Sequence, residues 1–466
     1  MPDSIRYVHP KLEFVPPRYA PWVLRVVHAC VPVLLRFRTR PWLTAGIRRV
    51  EAENGEVLAE LFHKFQSGSI RLMIAFRHVE VDDPICGLQL LSRVLPRIAK
   101  HHNILLNTPL HAHFVYERGM SLWAGRWLNW LFSRMGGIPI RRGRKPDWTG
   151  LRAARHLLTH GTLPLAIAPE GATNGHSERV GPCEPGGSQL GFWCVEDLKK
   201  EERPEAVFIV PVGIQYRYIT PPWSAIDQLL TQLEQDCGLS PLTTDAPTND
   251  PVADSYPRLI RLGEHLLTVM ESFYQRFYPT PIAALEKPVT PNEEFSLGDR
   301  LHKLMDTALR VAEQRLGVAP IGNFVDRCRR LEEAGWTRIY RDDLHDRNDL
   351  PPIERGLADW VAQDASLQML HMRLVESFVA VTGYYVKDKP SAERFAETAL
   401  LMFDLTARLR GDKLPKRPQL GDRWVQMTVG DPISVSDRWD DYKENRRRAI
   451  ADLTADLQHA LESTIG

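Results

Sequence analysis

The sequence predicts an α/β sandwich with a largely parallel sheet, interrupted by a helical insertion. Three observations carry that expectation. Through the first half, short apolar runs alternate with longer segments of helical periodicity, the pattern of parallel strands joined by helices. After Tyr218 the pattern breaks at Pro221 and Pro222, and the chain reads as helices and loops to about Pro418. A strand-like run, Trp424 to Val429, then returns near the end.

In chain order, Ile70 to Phe76 (IRLMIAF) is a continuous apolar run and reads as a buried strand. Pro84 to Lys100 repeats Leu88, Leu91, Leu95 and Ile98 at helical spacing. Ile104 to Leu106 is expected to start another strand. Leu122 to Met135 reads as a tryptophan-rich helix and Trp148 to His160 as a basic amphipathic one. Leu163 to Ala168 and Val207 to Ile214 are strand-like, and Pro211 inside the second points to an edge or bulged strand. In the insertion, Leu259, Leu262, Leu266, Val269, Phe273 and Phe277 form one helical stripe, and Leu297, Leu301, Leu304, Ala308 and Val311 a second. Phe378, Phe395, Leu400, Phe403 and Leu409 belong to later helices, and Asp245 to Asp254 reads as a polar loop. The turn Gly430-Asp431-Pro432 follows the late strand, and a charged helix closes the chain. The expected organisation is an N-terminal arm over 1–55, an α/β core over 56–220, a helical insertion over 221–418, and a last strand and helix over 419–466.

Composition narrows the class. The 466 residues carry a net charge of +1 and are 43% apolar, which suits a folded chain with a large core. The balance argues against a dedicated nucleic-acid binder. Six cysteines include no C-x-x-C pair and read as reduced thiols in the cytoplasm. His111 and His113 alternate as two metal ligands on a strand face would, but no third ligand is near, so no metal is expected. The best apolar run, Trp22 to Leu35, is too short to span a bilayer and contains Arg25, His28 and Pro32. The first 50 residues hold nine Lys/Arg against two Asp/Glu, a local +7. Trp22, Val26, Leu34, Phe37 and Trp42 interleave with Arg25, Arg36, Arg38 and Arg40. That mixture suits an anionic membrane surface, and equally a helix packed on the protein's own core.

Four segments carry possible chemistry. His78 and Asp83 sit at a strand-to-helix junction, where α/β proteins bind ligands. A histidine with a carboxylate five positions on makes a general base and its orienter. With 16 histidines, about one H-x4-D is expected by chance, and Asp83 before Pro84 is also an ordinary helix start. Gly136 to Arg142 (GGIPIRR) opens a basic stretch: Arg134 to Arg155 holds seven Lys/Arg and one acidic residue, a local +6. Such a stretch is either a solvated helix or a phosphate site. Pro169-Glu170-Gly171 follows an apolar strand, as a plain turn or with Glu170 anchoring a ligand hydroxyl or a neighbouring loop. Val210-Pro211-Val212-Gly213 is the fourth.

Taken in order, these segments resemble the glycerolipid acyltransferase family that includes the 1-acylglycerol-3-phosphate acyltransferases. The likeness covers roughly 60 to 220 and 420 to 435, where Val429-Gly430-Asp431-Pro432-Ile433 is similar to the family's closing turn. The whole also resembles long homologues of cyanobacterial type. Two positions depart from the pattern: Ala172 and Thr173 stand where threonine and arginine usually follow Pro-Glu-Gly, and Pro139-Ile140 replaces an aromatic–isoleucine pair. One phosphate-binding arginine is therefore missing, and Arg141, Arg144 or Arg179 are candidates to replace it.

The resemblance implies a glycerol-phosphate-acyltransferase-like sandwich in a cytoplasmic, peripherally membrane-associated enzyme of phospholipid synthesis. It implies transfer of an acyl group from acyl-CoA or acyl-carrier protein to the hydroxyl of a lysophosphatidic-acid-like acceptor, without a cofactor. His78 is then the general base, oriented by Asp83. Glu170 and Gly171 shape the acceptor pocket, and Arg142, helped by Arg141, binds phosphate. The alternatives are another acceptor (glycerol 3-phosphate, another lysophospholipid or a non-phosphate alcohol), a thioesterase, or a catalytically silent lipid-binding protein.

Overall fold

The computed structural model describes residues 6–40, 43–120, 124–125, 127–141, 147–240, 250–278, 296–379, 381, 383–412 and 416–466. They fall into two units. One holds the described residues of 14–141, 147–219 and 422–466; the other holds those of 6–13 and 220–421.

The first unit is α/β. Its strands are β1 (Ile47–Glu53), β2 (Ile70–Phe76), β3 (His113–Glu117), β4 (Gly137–Ile140), β5 (Leu165–Ile167), β6 (Ala206–Tyr218), β7 (Arg423–Val429) and the short β8 (Ile433–Ser434). They lie in the order β1-β7-β6-β2-β5-β3-β4, with β8 also on β6. The run from β6 to β4 is wholly parallel. β7 runs against β6, with Tyr218 opposite Arg423 and Val212 opposite Val429, and β1 runs with β7.

Helices cover both faces. On one side lie α1 (Pro21–Arg36), α2 (Gly55–Gln66), α3 (Asp83–Gln89) and α4 (Leu95–His101). Next in the chain are α5 (Trp127–Arg134), α6 (Trp148–His160) and α7 (Gly186–Lys200). β2 explains its own sequence: Leu72 and Ile74 enter the core with Leu58, Phe62 and Leu95, while Met73 and Ala75 enter the core with Leu158, Phe192 and Leu190. A strand buried on both faces has no polar face, so it reads as an unbroken apolar run. Between α3 and α4 the helix widens for one turn, and the Leu95 N–H donates to the Leu90 carbonyl five residues back. Pro96, which has no N–H to give, follows that turn.

The second unit is helical: α8 (Trp223–Asp236), α9 (Pro251–Phe277), α10 (Leu297–Leu316), α11 (Phe324–Ile339), α12 (Pro352–Glu376) and α13 (Ala392–Leu409). The buried stripe of α9 begins at Leu259, Leu262 and Leu266 but continues through Leu267, Met270 and Tyr274, leaving Val269, Phe273 and Phe277 outward. The chain then returns to the α/β unit through β7 and ends in α14 (Arg446–Ser463), whose Leu453, Leu457 and Leu461 join the core under α6 and α7.

Other elements also differ from the sequence reading, among them Gly137–Ile140, which forms strand β4. Residues 47–53 form an edge strand of the sheet rather than part of an arm, pairing in parallel with β7 with a register shift between Ile47 and Arg49. Ile104 to Leu106 is a loop: Ile104 and Leu106 pack on the core as irregular chain, and the strand begins at His113. Pro211 lies inside the central strand β6, not at an edge. On the side toward β7 and β8 it meets their connecting turn, where the Gly430 N–H donates to the Pro211 carbonyl at 2.9 Å. A residue without an N–H fits where the ladder changes partner. Part of the expected Leu122–Met135 helix and the Asp245–Asp254 loop lies outside the described residues; Trp127–Arg134 is helical, and Asp250 caps α9.

Candidate active site

The parallel sheet explains how distant segments meet. His78 follows β2, Pro169-Glu170-Gly171 follows β5, Arg141 follows β4, and Val210 to Gly213 lies in β6. Parallel strands place these ends on one edge of the sheet. β5 and β6 flank β2 directly. Arg141 is three strands from β2, about 14 Å along the sheet at the usual strand spacing. Arg142 and Arg144 lie outside the described residues.

His78 and Asp83 come together. The His78 Nδ1–H donates to Asp83 Oδ2 at 3.0 Å. The imidazole is 23% exposed, while the Asp83 carboxylate is buried. The same Oδ2 accepts from the Glu80 N–H at 2.9 Å, and the Asp83 N–H returns to the Glu80 carbonyl at 3.2 Å. Asp83 thus closes the turn that starts α3 and orients the ring as well. Its other oxygen accepts from the Tyr216 hydroxyl of β6 at 2.5 Å.

Glu170 faces inward. It is buried and binds the backbone that carries His78. Oε1 accepts from the His78 N–H at 2.9 Å; Oε2 accepts from the Gly181 N–H at 2.6 Å and from Asn174 Nδ2 at 3.0 Å. Arg77 Nε stands 3.5 Å from Oε1. Burial pushes the Glu170 carboxyl up, against Arg77 and the two N–H donors, which pull it down. Arg77 itself is wholly buried and donates to the carbonyls of Ser177 (2.5 Å), His176 (3.1 Å) and Arg179. Backbone bonds from Asn174 and Gly175 to the His78 and Val79 carbonyls complete the seam. The segment after β5 is therefore the wall beside His78, and Glu170 is its clamp. Gly171 turns that segment at a φ of 72°.

A second buried charge cluster braces the turn from the other flank. Arg423 Nη1 lies 3.0 and 2.9 Å from the two Glu80 oxygens, and its guanidinium covers the Tyr216 ring at 4.6 Å. Asp82 accepts from the Thr44 and Ala45 N–H groups at 3.0 and 2.9 Å. Burial and the neighbouring Glu80 push the Asp82 carboxyl up to about 6, against Arg423 and the Ala45 N–H.

The glycine-led block has a packing reason of its own. A Cβ on Gly136 would stand 2.6 Å from His113 Nδ1, and one on Gly137 would stand 2.8 Å from the Phe114 ring. His113 donates to the Gly136 carbonyl at 3.0 Å, and His111 Nε2 to the Met135 carbonyl at 2.8 Å. The two histidines pin β3 to the start of β4. Burial pushes His111 down to about 3 and lowers His113 as well. Among the described residues, no three His, Cys, Asp or Glu side chains are grouped to hold a metal ion.

Sequence reasoning missed Tyr216, Arg77, Glu80 and Arg423. Tyr216 lies just beyond the apolar run Val207 to Ile214, between Gln215 and Arg217, and only the general rule that a buried phenol needs a partner points to it. Arg423 carried no signal, because the carboxylate it binds, Glu80, lies 343 residues away. No protein-family model, no curated protein and no solved structure matches the chain.

Proposed function

We propose that the chain is an O-acyltransferase that moves an acyl group from a thioester to the hydroxyl of a lysophosphatidic-acid-like lipid. One observation carries the reading: an imidazole at the rim of a parallel sheet, with Nδ1 tied to a buried carboxylate and the ring partly open. The order of the four segments around it supports a glycerol-phosphate-acyltransferase-like fold.

Nε2 of His78 takes the proton as the acceptor oxygen attacks the thioester carbonyl. A C–O bond forms, the C–S bond breaks, and the leaving thiolate regains the proton from His78. Asp83 holds the tautomer and offsets the imidazolium charge. General-base assistance of this kind contributes roughly 10² to 10⁴ in rate. Arg142, with Arg141 beside it, holds the acceptor phosphate. No cofactor takes part, and acyl-CoA or acyl-carrier protein supplies the acyl group.

The surface of α1 supports a lipid-facing role. Its inner face, Val23, Leu24, Val31 and Leu35, packs on the core, so the helix does serve the protein's own interior. Its outer face shows Trp22, Val26 and Val33, exposed Phe37 follows its last turn, and α5 adds Trp127 and Trp130. Arg40 covers the Trp127 ring at 5.1 Å. Apolar and aromatic groups rimmed by arginine suit peripheral contact with an anionic membrane. Among the described residues, no helix is long and apolar enough to cross a membrane.

The test is an acceptor screen with one labelled acyl-CoA and one labelled acyl-carrier protein, read by lipid mass spectrometry. An acylated phospholipid product is expected. Free fatty acid without any acyl-lipid would replace this reading with a thioesterase.

A further inference from the structure

Tyr216 projects from β6 toward α3 and is buried. Its hydroxyl donates to the one Asp83 oxygen that His78 and the Glu80 N–H leave unused. The ring cannot swing away, because the Arg423 guanidinium lies over it while both Glu80 oxygens grip that guanidinium. We infer that Tyr216 is a positioning residue for His78: its hydroxyl fixes the rotation of the Asp83 carboxylate and draws off part of its charge, and Arg423 holds the tyrosine in place.

A carboxylate oxygen committed to a phenol leaves its partner oxygen a weaker acceptor. The imidazolium is then stabilised less, and the base gives its proton back more readily. Burial pushes the Tyr216 phenol well up, so it remains a donor. The other charged or titratable groups near Asp83 are His78, Glu80 and Asp82 on its own turn, Cys86 on α3, Glu170 after β5 and Arg423 on β7. All of them remain in place when only the hydroxyl is removed.

The experiment follows the His78 ring by nitrogen-15 histidine NMR in the full chain, comparing wild type with Tyr216→Phe. The His78 titration midpoint is expected to rise by about half a pH unit or more. A second protein, with 3-fluorotyrosine replacing tyrosine throughout, carries a stronger phenol donor, and its midpoint is expected to fall. A folded Tyr216→Phe chain whose midpoint equals wild type overturns the inference. Should that variant not fold, an unmoved midpoint in the fluorotyrosine protein overturns it instead. The catalytic consequence rests on His78 being the base of the proposed reaction: the acid limb of kcat/KM should move with the NMR midpoint. A shifted midpoint in a chain without acyl-transfer activity would leave the tyrosine's role standing and remove the acyltransferase.

Discussion

His78 and the pair His111 and His113 stand on neighbouring parts of one sheet and do opposite things. His78 gives one nitrogen to a buried carboxylate and keeps its ring partly open. His111 and His113 give a nitrogen each to backbone carbonyls and are buried. A carbonyl can hold an N–H but cannot offset a full positive charge, and burial opposes that charge further. A carboxylate offsets it. The lesson is that a histidine becomes a proton carrier through a compensating charge and an open nitrogen, whereas without them it becomes a peg between strands.

The largest expected effect tests the first half of that contrast. His78→Ala should lower acyl transfer by about 10³-fold or more with an unchanged circular-dichroism melt. A purified variant that keeps near wild-type turnover would erase the distinction. Next is Glu170→Gln, which strips the charge beside fully buried Arg77. A stability loss of about 3 kcal/mol in urea unfolding is expected, together with a disordered His78 turn and lower activity. An unchanged midpoint would mean Glu170 is not the clamp.

The third prediction concerns the pegs. His111 sits at about 3 when folded and near 6.5 when unfolded. Between those values the unfolded chain binds a proton that the folded chain refuses, so stability falls as pH drops below about 6.5. The slope is about 1.4 kcal/mol per pH unit for one such group. His111→Gln keeps an N–H for the Met135 carbonyl and should flatten that acid loss in urea titrations. An equally steep loss would move the acid sensitivity elsewhere. The smallest effect is expected at Arg142→Ala: a several-fold higher KM for a phosphate-bearing acceptor, with kcat nearly unchanged. An unaltered KM would take the phosphate away from that arginine.

β2, β5, β6 and β7 were readable as apolar or strand-like runs, β2 most plainly because it is buried on both faces, whereas the short β3 and β4 were not read as strands. The edge strand β1 was not readable: IRRVEAE is mostly solvent-facing, and only Ile47 and Val50 of its seven residues are buried. The contact between His78 and Asp83 was readable because five residues separate them and a local turn joins them. The brace was not. Tyr216, Arg423 and Arg77 reach their partners across the sheet, and no local spacing encodes such contacts. Glu170 was singled out with two roles left open, anchoring a ligand hydroxyl or a neighbouring loop, since a glutamate after a strand looks the same in either case.

The ladder between β6 and β7 has one more consequence. Ile219 N–H donates to the Asp422 carbonyl at 2.9 Å, so the chain departs and comes back within a single hydrogen bond. Topologically this is a hairpin whose tip is 202 residues long, from 220 to 421. Closing a tip of that length costs about 3.5 kcal/mol more chain entropy than closing one of four residues. The tip holds none of His78, Asp83, Glu170, Tyr216 and Arg423, and its Tyr340–Arg341 pairs in parallel with His9–Pro10, so the start of the described chain belongs with the tip.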